Sequence, residues 1–191
     1  MAQIRPKYSK EKLSTRVRQL GRAISKDYAG RNLDVVVVVE NGFLFGADLL
    51  RCITVPVVCH FVRAEMRDVD AAGHERREIY FSCPTGLRGR DILLVDAILN
   101  TGVTQDFLLR RLEETRPRSL RLAVLFDKPD GRKVNLRAEY IGFPSASNYL
   151  VGYGLGGRDG FYRNLPFVGL SRERAGGSSG SGTRAKRKAR R

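Results

Sequence analysis

The chain has 191 residues, of which 42% are hydrophobic, and this is enough apolar material for the full core of one domain. Its apolar runs, such as Val35 to Val39, are far too short to cross a bilayer, and the first residues lack the apolar stretch of a secretory signal, so we expect a cytoplasmic protein with no membrane partner. The net charge of +15 favours polyanionic partners (nucleic acid, phosphorylated metabolites or an acidic protein), with a basic surface that meets none of them as the alternative.

The first predicted element is an amphipathic helix. Apolar residues recur along it at spacings of three and four, while lysine, arginine and glutamate fill the other face. These apolar residues are Leu13, Val17, Leu20, Ile24 and Tyr28. Ser9 is the expected N-cap, and the helix should end at Gly30.

Two strands and a second helix are predicted next. The β-branched run 33–39 is typical of a parallel strand covered on both faces. Residues 43–52 return to a helical pattern, and 55–62 form the next predicted strand. The stretch 63–77 is charged, poor in apolar residues and without a clear period, which predicts a mobile loop or flap, with a short strand at 78–82 on its far side.

The remaining elements continue the alternation of strand and helix. They are a strand at 92–95, a helix at 104–112, a strand at 120–126 and two short strands at 140–143 and 149–153. This order predicts an α/β fold with an open, mostly parallel twisted sheet and helices on both faces. Ligands of such sheets bind at the carboxyl ends of the strands, where Glu40, Asn100 and Lys128 fall.

The composition changes near the carboxyl terminus. We expect one domain over residues 1–175, a Gly/Ser linker at 176–183 and a disordered basic tail at 184–191. Six basic residues of the tail could meet a polyanion: Arg184, Lys186, Arg187, Lys188, Arg190 and Arg191. A solvated tail with no partner is the alternative. Cys52, Cys59 and Cys83 lack metal-ligand spacing, even with His60 and His74, and favour reduced, mostly buried thiols.

The segment 91–112 is the most informative about function. An apolar strand leads into Thr101-Gly102-Val103-Thr104, and a helical stretch follows at once. Backbone N–H groups, two hydroxyls and a helix N-terminus then converge on one point. That point suits a phosphate dianion.

Together with Lys128 and the segment 149–153, this loop resembles that of the hypoxanthine/guanine phosphoribosyltransferases, which have the type I phosphoribosyltransferase fold. The resemblance runs from about Lys7 to Glu173. It implies transfer of the ribosyl 5-phosphate of phosphoribosyl pyrophosphate (PRPP) to N9 of a 6-oxopurine, with release of pyrophosphate, and it implies that magnesium is needed if the protein is active. It also implies a homo-oligomer.

The resemblance assigns roles by position. The residues assigned to the 5′-phosphate are Thr101, Gly102, Val103 (where the family has lysine) and Thr104. Those assigned to the pyrophosphate are Glu40, Asn41, Gly42 and Arg163, and those assigned to the purine are Lys128, Tyr149 and Leu150. Asp96 retains one of the two acids that contact the ribose hydroxyls. For Lys128 the alternative is a surface lysine before a turn, and for Tyr149 it is a core aromatic.

Several positions depart from the family pattern. Asn100 stands where the family has its catalytic aspartate, Ala97 replaces the second ribose-contacting acid, and Glu40 replaces a lysine. An amide can hydrogen-bond a purine but cannot carry its proton, so transfer should slow by roughly 10²–10⁴-fold. Asp127 and Asp159 are candidates for relocated acids, and the metal ligands are unknown.

Three functions therefore stay open. The first is a phosphoribosyltransferase-like protein that binds a purine nucleotide or another phosphate ligand, with transfer lost or weakened, in a regulatory or polyanion-associated role. The second is an active purine-salvage enzyme that makes IMP, GMP or XMP. The third is a structural nucleic-acid-binding protein with a vestigial pocket. The degenerate positions favour the first.

Overall fold

Ten strands and three helices make up the fold of the computed structural model, which describes residues 4–63, 65–71, 74–80, 84–146, 149–157 and 159–171. In chain order they are β1 (Arg5–Tyr8), α1 (Lys10–Asp27), β2 (Leu33–Val39), α2 (Phe43–Leu50), β3 (Val57–Arg63), β4 (Glu65–Ala71), β5 (His74–Tyr80), β6 (Asp91–Leu99), α3 (Val103–Glu113), β7 (Ser119–Asp127), β8 (Tyr140–Pro144), β9 (Leu150–Val151) and β10 (Val168–Leu170). No helix in these ranges is both long and apolar enough to span a membrane.

The central sheet is parallel and has five strands in the order β3-β2-β6-β7-β8. Helices α1 and α2 cover one face, where Leu13 and Phe45 pack with Val35 and Val37 of β2. Helix α3 covers the other face, where Leu108 packs with the even-numbered valines of the same strand. This confirms the predicted α/β fold, because a strand buried on both faces needs a helix layer on each side.

Helix α1 begins as predicted. The Ser9 side chain accepts a hydrogen bond from the backbone N–H of Lys12 (3.3 Å), which satisfies one of the unpaired donors of the first turn. Its apolar face is buried from Leu13 to Ile24. The predicted N-cap and apolar face are confirmed, and the helix ends at Asp27, three residues before the expected Gly30.

A second, antiparallel sheet was not predicted. It joins β1, β10 and β9, so that Arg5 lies opposite Leu170 and Gly169 lies opposite Val151. The strand expected at 149–153 is therefore only Leu150–Val151, and it belongs to this small sheet. The strands have two to four residues each and pair over long distances along the chain, so local patterns carry little sign of them.

The prediction of a loop at 63–77 is wrong. The backbone forms a two-stranded antiparallel ribbon, in which β4 pairs with β5 from Glu65 opposite Tyr80 to Ala71 opposite His74. Of the short strand expected at 78–82, residues 78–80 are the end of β5, and residues 81–82 lie outside the described residues. A two-stranded ribbon need not bury an apolar face in the core, so hydrophobic periodicity does not reveal it.

Two further expectations need correction. Strand β6 extends to Leu99 and thus includes Asp96 and Ala97, which were expected in the loop. Cys59 is exposed, not buried, because it lies on the edge strand β3, whereas Cys52 is half-buried and Cys83 lies outside the described residues.

Candidate functional site

A cleft of about 370 Å³ opens at the carboxyl ends of β2 and β6. Two segments that follow these strands meet there, as expected for an open parallel sheet. The cleft is lined by Val38, Val39, Glu40, Asn41, Arg63, Asp96, Ile98, Thr104, Gln105 and Arg163. It thus joins residues assigned to the phosphate, the ribose and the pyrophosphate.

The loop before α3 has the geometry of an anion site. Gly102 adopts φ = +80° as the N-cap of the helix, and its carbonyl accepts from the N–H of Asp106 (2.8 Å). The first N–H groups of an α-helix have no partner within the helix and carry its positive dipole end. Those of Val103 and Thr104 belong to this first turn, and the N–H of Val103 makes a long hydrogen bond to Thr101 Oγ1 (3.5 Å). A phosphate placed here would meet donors without any rearrangement of the backbone.

A neighbouring turn holds this loop in place. Lys128 donates its backbone N–H to the carbonyl of Leu99 (2.9 Å), and Lys133 donates to the carbonyl of Thr101 (2.8 Å). A Cβ at position 102 would lie 2.8 Å from Val134 Cγ2, so only glycine fits both the left-handed backbone and this packing.

Arg132 completes the support. Its Nη2 pairs with the carboxylate of Asp127, while its Nη1 is buried and has no hydrogen-bond partner. This pairing engages Asp127, which was a candidate for a relocated acid. Asp159, the other candidate, is exposed and its carboxylate accepts from the N–H of Phe161 (3.3 Å). Neither residue lines the cleft.

Asp96 is a buried carboxylate at the floor of the cleft. One oxygen accepts from the N–H of Ala97 (2.6 Å) and the other from Nε2 of Gln105 (2.6 Å). Burial raises the pKa of Asp96 to about 6, although these hydrogen bonds act in the opposite direction. Its proton is therefore exchanged near neutral pH.

Replacing Asp96 with asparagine should change the pH dependence of stability. In the unfolded chain the pKa is near 3.9, below the folded value of about 6, so the folded state holds this proton more tightly. The protonated carboxyl stabilises the fold fully below about pH 4, and that contribution is lost as the pH rises through about 6.

Urea unfolding between pH 4 and 8 measures the effect. The free energy of unfolding of Asp96→Asn, relative to the unsubstituted protein, should rise by about 3 kcal/mol between pH 4 and 7 and then level off. A difference that stays constant over this range would show that Asp96 does not titrate there.

Glu40 lies between two arginines at the mouth of the cleft. Its Oε1 is 3.2 Å from Nη2 of Arg63, and its Oε2 accepts from Nη2 of Arg163 at 3.2 Å. Nη1 of Arg163 donates to Asn41 Oδ1 and to the carbonyl of Gly154, both at 2.6 Å. Glu40, which stands where the family has a lysine, is thus paired with two cations.

The residues assigned to the purine lie beyond the loop. Lys128 is buried, with 7% of its surface exposed, and its burial lowers the pKa of the ammonium group. Within the described ranges this ammonium group makes no hydrogen bond or ion pair. Leu150 is buried and Tyr149 is half exposed. The alternatives of a surface lysine and a core aromatic are therefore wrong.

Asn100 is exposed at the end of β6. Its Oδ1 lies so close to Gly131 that a side chain there would collide with it. Asn100 does not line the cleft, but it lies between the phosphate loop and Lys128. Ala97, at the position that the resemblance assigns to a second ribose-contacting acid, is fully buried.

No group of three or more acidic, histidine or cysteine side chains forms a metal site in the described part of the chain. Magnesium, however, needs only one or two protein carboxylates when substrate phosphates supply other ligands. Asp96 lines the cleft, so it fits, together with phosphate oxygens, a magnesium ion carried by a phosphorylated substrate. The basic tail at 184–191 lies outside the described residues.

Three residues of the site escaped sequence reasoning. Gln105 holds Asp96, Arg63 pairs with Glu40, and Arg132 supports the loop. Only Gln105 could have been found from the sequence, because this polar residue lies one helical turn before Leu108 and therefore on the buried face of α3. The partners of the two arginines come from other parts of the fold.

The sequence of this chain is similar to those of known proteins. Residues 8–155 match the phosphoribosyl transferase domain. The hypoxanthine-guanine phosphoribosyltransferase of Streptococcus thermophilus is 32% identical over 166 residues, 87% of this chain and 92% of that protein.

Solved structures of similar sequence also have a similar fold. A hypoxanthine-guanine phosphoribosyltransferase from Bacillus anthracis superposes with a TM-score of 0.80 at 30% identity, covering 90% of this chain and 99% of the other. A hypoxanthine phosphoribosyltransferase from Staphylococcus aureus also gives a TM-score of 0.80, at 27% identity, covering 88% and 91%.

Proposed function

The chain belongs to the hypoxanthine/guanine phosphoribosyltransferase family and has its type I fold, and from this premise we propose that it forms a purine nucleotide from PRPP and a 6-oxopurine. The observation that carries the proposal is the single cleft that joins the phosphate loop at Thr104 to Asp96 and Arg163. These groups match the 5′-phosphate, ribose and pyrophosphate of PRPP in kind and in order.

Each part of the site has a task in this reaction. The N–H groups of the loop bind the 5′-phosphate, Asp96 accepts from a ribose hydroxyl, and Arg163 binds the pyrophosphate. Lys128 donates to the 6-oxo group and Tyr149 stacks on the base. The bond from C1′ to the pyrophosphate oxygen breaks as the bond from N9 to C1′ forms.

Two groups affect charge and proton movement. The Asp96 carboxylate would help to hold a magnesium ion that PRPP carries, and such an ion would offset charge on the leaving pyrophosphate. Asn100 hydrogen-bonds the purine at N7, but its amide cannot take up a proton, so the purine proton passes to water. Transfer is therefore slow compared with an enzyme that has an acid at this position.

Product analysis tests the proposal. The full chain is incubated with PRPP, magnesium and hypoxanthine, guanine or xanthine, and nucleotides are separated by chromatography. We expect IMP, GMP or XMP in a magnesium-dependent reaction. The control omits the base. If no nucleotide forms while GMP still raises the melting temperature, the second candidate holds: a protein that binds a phosphate ligand without transfer, as Asn100 and Ala97 suggest.

A third role, binding of nucleic acid, is favoured by an arginine cluster at the opposite end of the sheet. The N–H of Gly89 donates to the carbonyl of Arg116 (2.9 Å), and the N–H of Arg118 donates to that of Arg90 (2.8 Å). Two loops thus lie side by side. They carry Arg88, Arg90, Arg116 and Arg118. Arg90 pairs with the buried Asp34 (2.7 Å) and Arg118 pairs with the buried Asp91, whereas Arg88 and Arg116 are exposed. Arginine suits phosphates because its planar group donates two parallel hydrogen bonds.

Salt-dependent RNA binding tests this role. The double variant Arg88→Ser/Arg116→Ser should weaken binding and reduce the slope of log affinity against log salt by about 1.4–1.8. The control Lys12→Ser/Arg22→Ser removes the same charge from exposed positions on α1. Equal losses in both variants would mean that net charge, rather than this cluster, drives binding.

The remaining assignments follow the family. We propose a cytoplasmic homo-oligomer that uses the apolar residues exposed on the edge strand β3, Val57 and Phe61, which are 37% and 58% exposed. Sedimentation of the full chain measures its mass. A monomer at micromolar concentration would count against the oligomer.

A further inference from the structure

The Glu40 carboxylate makes the contacts that an anionic ligand would make in this cleft. Its two oxygens approach one guanidinium each, from Arg63 and Arg163, at 3.2 Å. Carboxylates and phosphates bind arginine through the same planar pattern of donors. The carboxylate thus uses the cations that a pyrophosphate group would use in this cleft.

This pairing can be exchanged. The Glu40 side chain is 56% exposed and that of Arg63 is 61% exposed, and exposed ion pairs contribute little to stability. Arg163, which is 33% exposed, is also fixed by Asn41 and the carbonyl of Gly154, so it stays in position when Glu40 leaves. Arg163 therefore remains available to a ligand that displaces the carboxylate.

We infer that Glu40 is a built-in competitor for the pyrophosphate half of the substrate: its carboxylate occupies the arginines of the cleft and weakens the binding of pyrophosphate and PRPP. This rests on the proposed function. Bound pyrophosphate must break two ion pairs and then lie close to a like charge, and both effects oppose binding. A ligand with only a 5′-phosphate avoids both, because it binds the loop at residues 101–104.

The competitor makes the site selective. Nucleotide products hold their phosphate at the loop and are unaffected by Glu40, while PRPP and pyrophosphate are held less tightly. Because pyrophosphate is held weakly, it should dissociate readily after transfer. Because PRPP is also held weakly, turnover should need a high concentration of PRPP.

Isothermal titration of the full chain with pyrophosphate and with GMP, each with magnesium, tests the inference. Glu40→Gln keeps the length of the side chain and removes the charge. We expect it to bind pyrophosphate on the order of tenfold more tightly, with an advantage that shrinks at high salt, and to bind GMP unchanged. The control Glu113→Gln removes the same charge at an exposed position near the end of α3 and should change neither affinity.

Each other outcome overturns the inference. Unchanged pyrophosphate affinity would mean that Glu40 does not compete, and weaker affinity would mean that it helps to bind the ligand through magnesium. An equal gain in Glu113→Gln would assign the effect to net charge. If GMP binds neither form, the proposed function fails as well, whereas GMP binding with unchanged pyrophosphate affinity rejects the inference alone.

Discussion

Replacing Asn100 with aspartate is expected to raise the rate of purine transfer by about 10²–10⁴-fold, the usual contribution of a positioned acid or base. The new carboxylate would lie at the end of β6, between the phosphate loop and Lys128, where it can take the proton that the amide leaves to water. Asn100 is exposed, so the substitution should leave the melting temperature nearly unchanged. Steady-state rates with hypoxanthine and saturating PRPP measure the gain.

The pH profile and a second variant make the result specific. Asn100→Asp should lose activity as the pH falls through the pKa of the new carboxyl, a dependence that the unsubstituted protein lacks at this position. Asn100→Ala should not gain activity. If aspartate gives no increase, the proton leaves by a route that does not involve position 100, and the expected weakness of this site is wrong.

Replacing Lys128 with methionine is expected to reduce kcat/KM for the purine by about 10²–10³-fold while making the protein more stable. The Lys128 side chain is mostly buried and its burial lowers the pKa of the ammonium group, so carrying this charge opposes folding. The ammonium group can donate to a ligand oxygen, where the loss of one donor typically costs this much in rate. Methionine keeps the volume, so the free energy of unfolding should rise by about 1 kcal/mol or more.

The opposite signs distinguish a ligand-binding lysine from a structural one. A lysine that held the fold together would lose stability and activity together. The control is Lys26→Met, which removes an exposed lysine in the last turn of α1 and should alter neither quantity by much. Lower stability in Lys128→Met would mean that the ammonium group has a partner in the folded protein.

The predicted parts of the fold are those that local patterns determine. The period of apolar residues and the cap at Ser9 determine α1, and the β-branched run determines β2, since both depend on neighbours within one or two turns. The small sheet depends on residues more than 140 positions apart, such as Tyr8 and Val168, and was missed. Strand β6 was predicted to end at residue 95, before Asp96, because a charged residue is not expected inside a buried strand. In the structure a hydrogen bond from Gln105 satisfies the buried Asp96 carboxylate, and the strand continues.

The candidate site divides in the same way. The phosphate loop could be predicted, because one short segment contains the strand end, the glycine and the helix start. The environment of Glu40 could not, because Arg163 approaches it from a segment 123 positions away. A charge that looks repulsive in a linear sequence is paired in three dimensions. Departures from a family pattern therefore need the fold before their effect can be judged.

The antiparallel sheet of β1, β10 and β9 joins strands from the two ends of the described chain. Strand β9 directly follows Tyr149, and the segment from β9 to β10 contains Arg163, so this sheet helps to position both the stacking ring and the pyrophosphate arginine. Deleting β1 should therefore destabilise the sheet and reduce activity, although no side chain that contacts the ligand is removed.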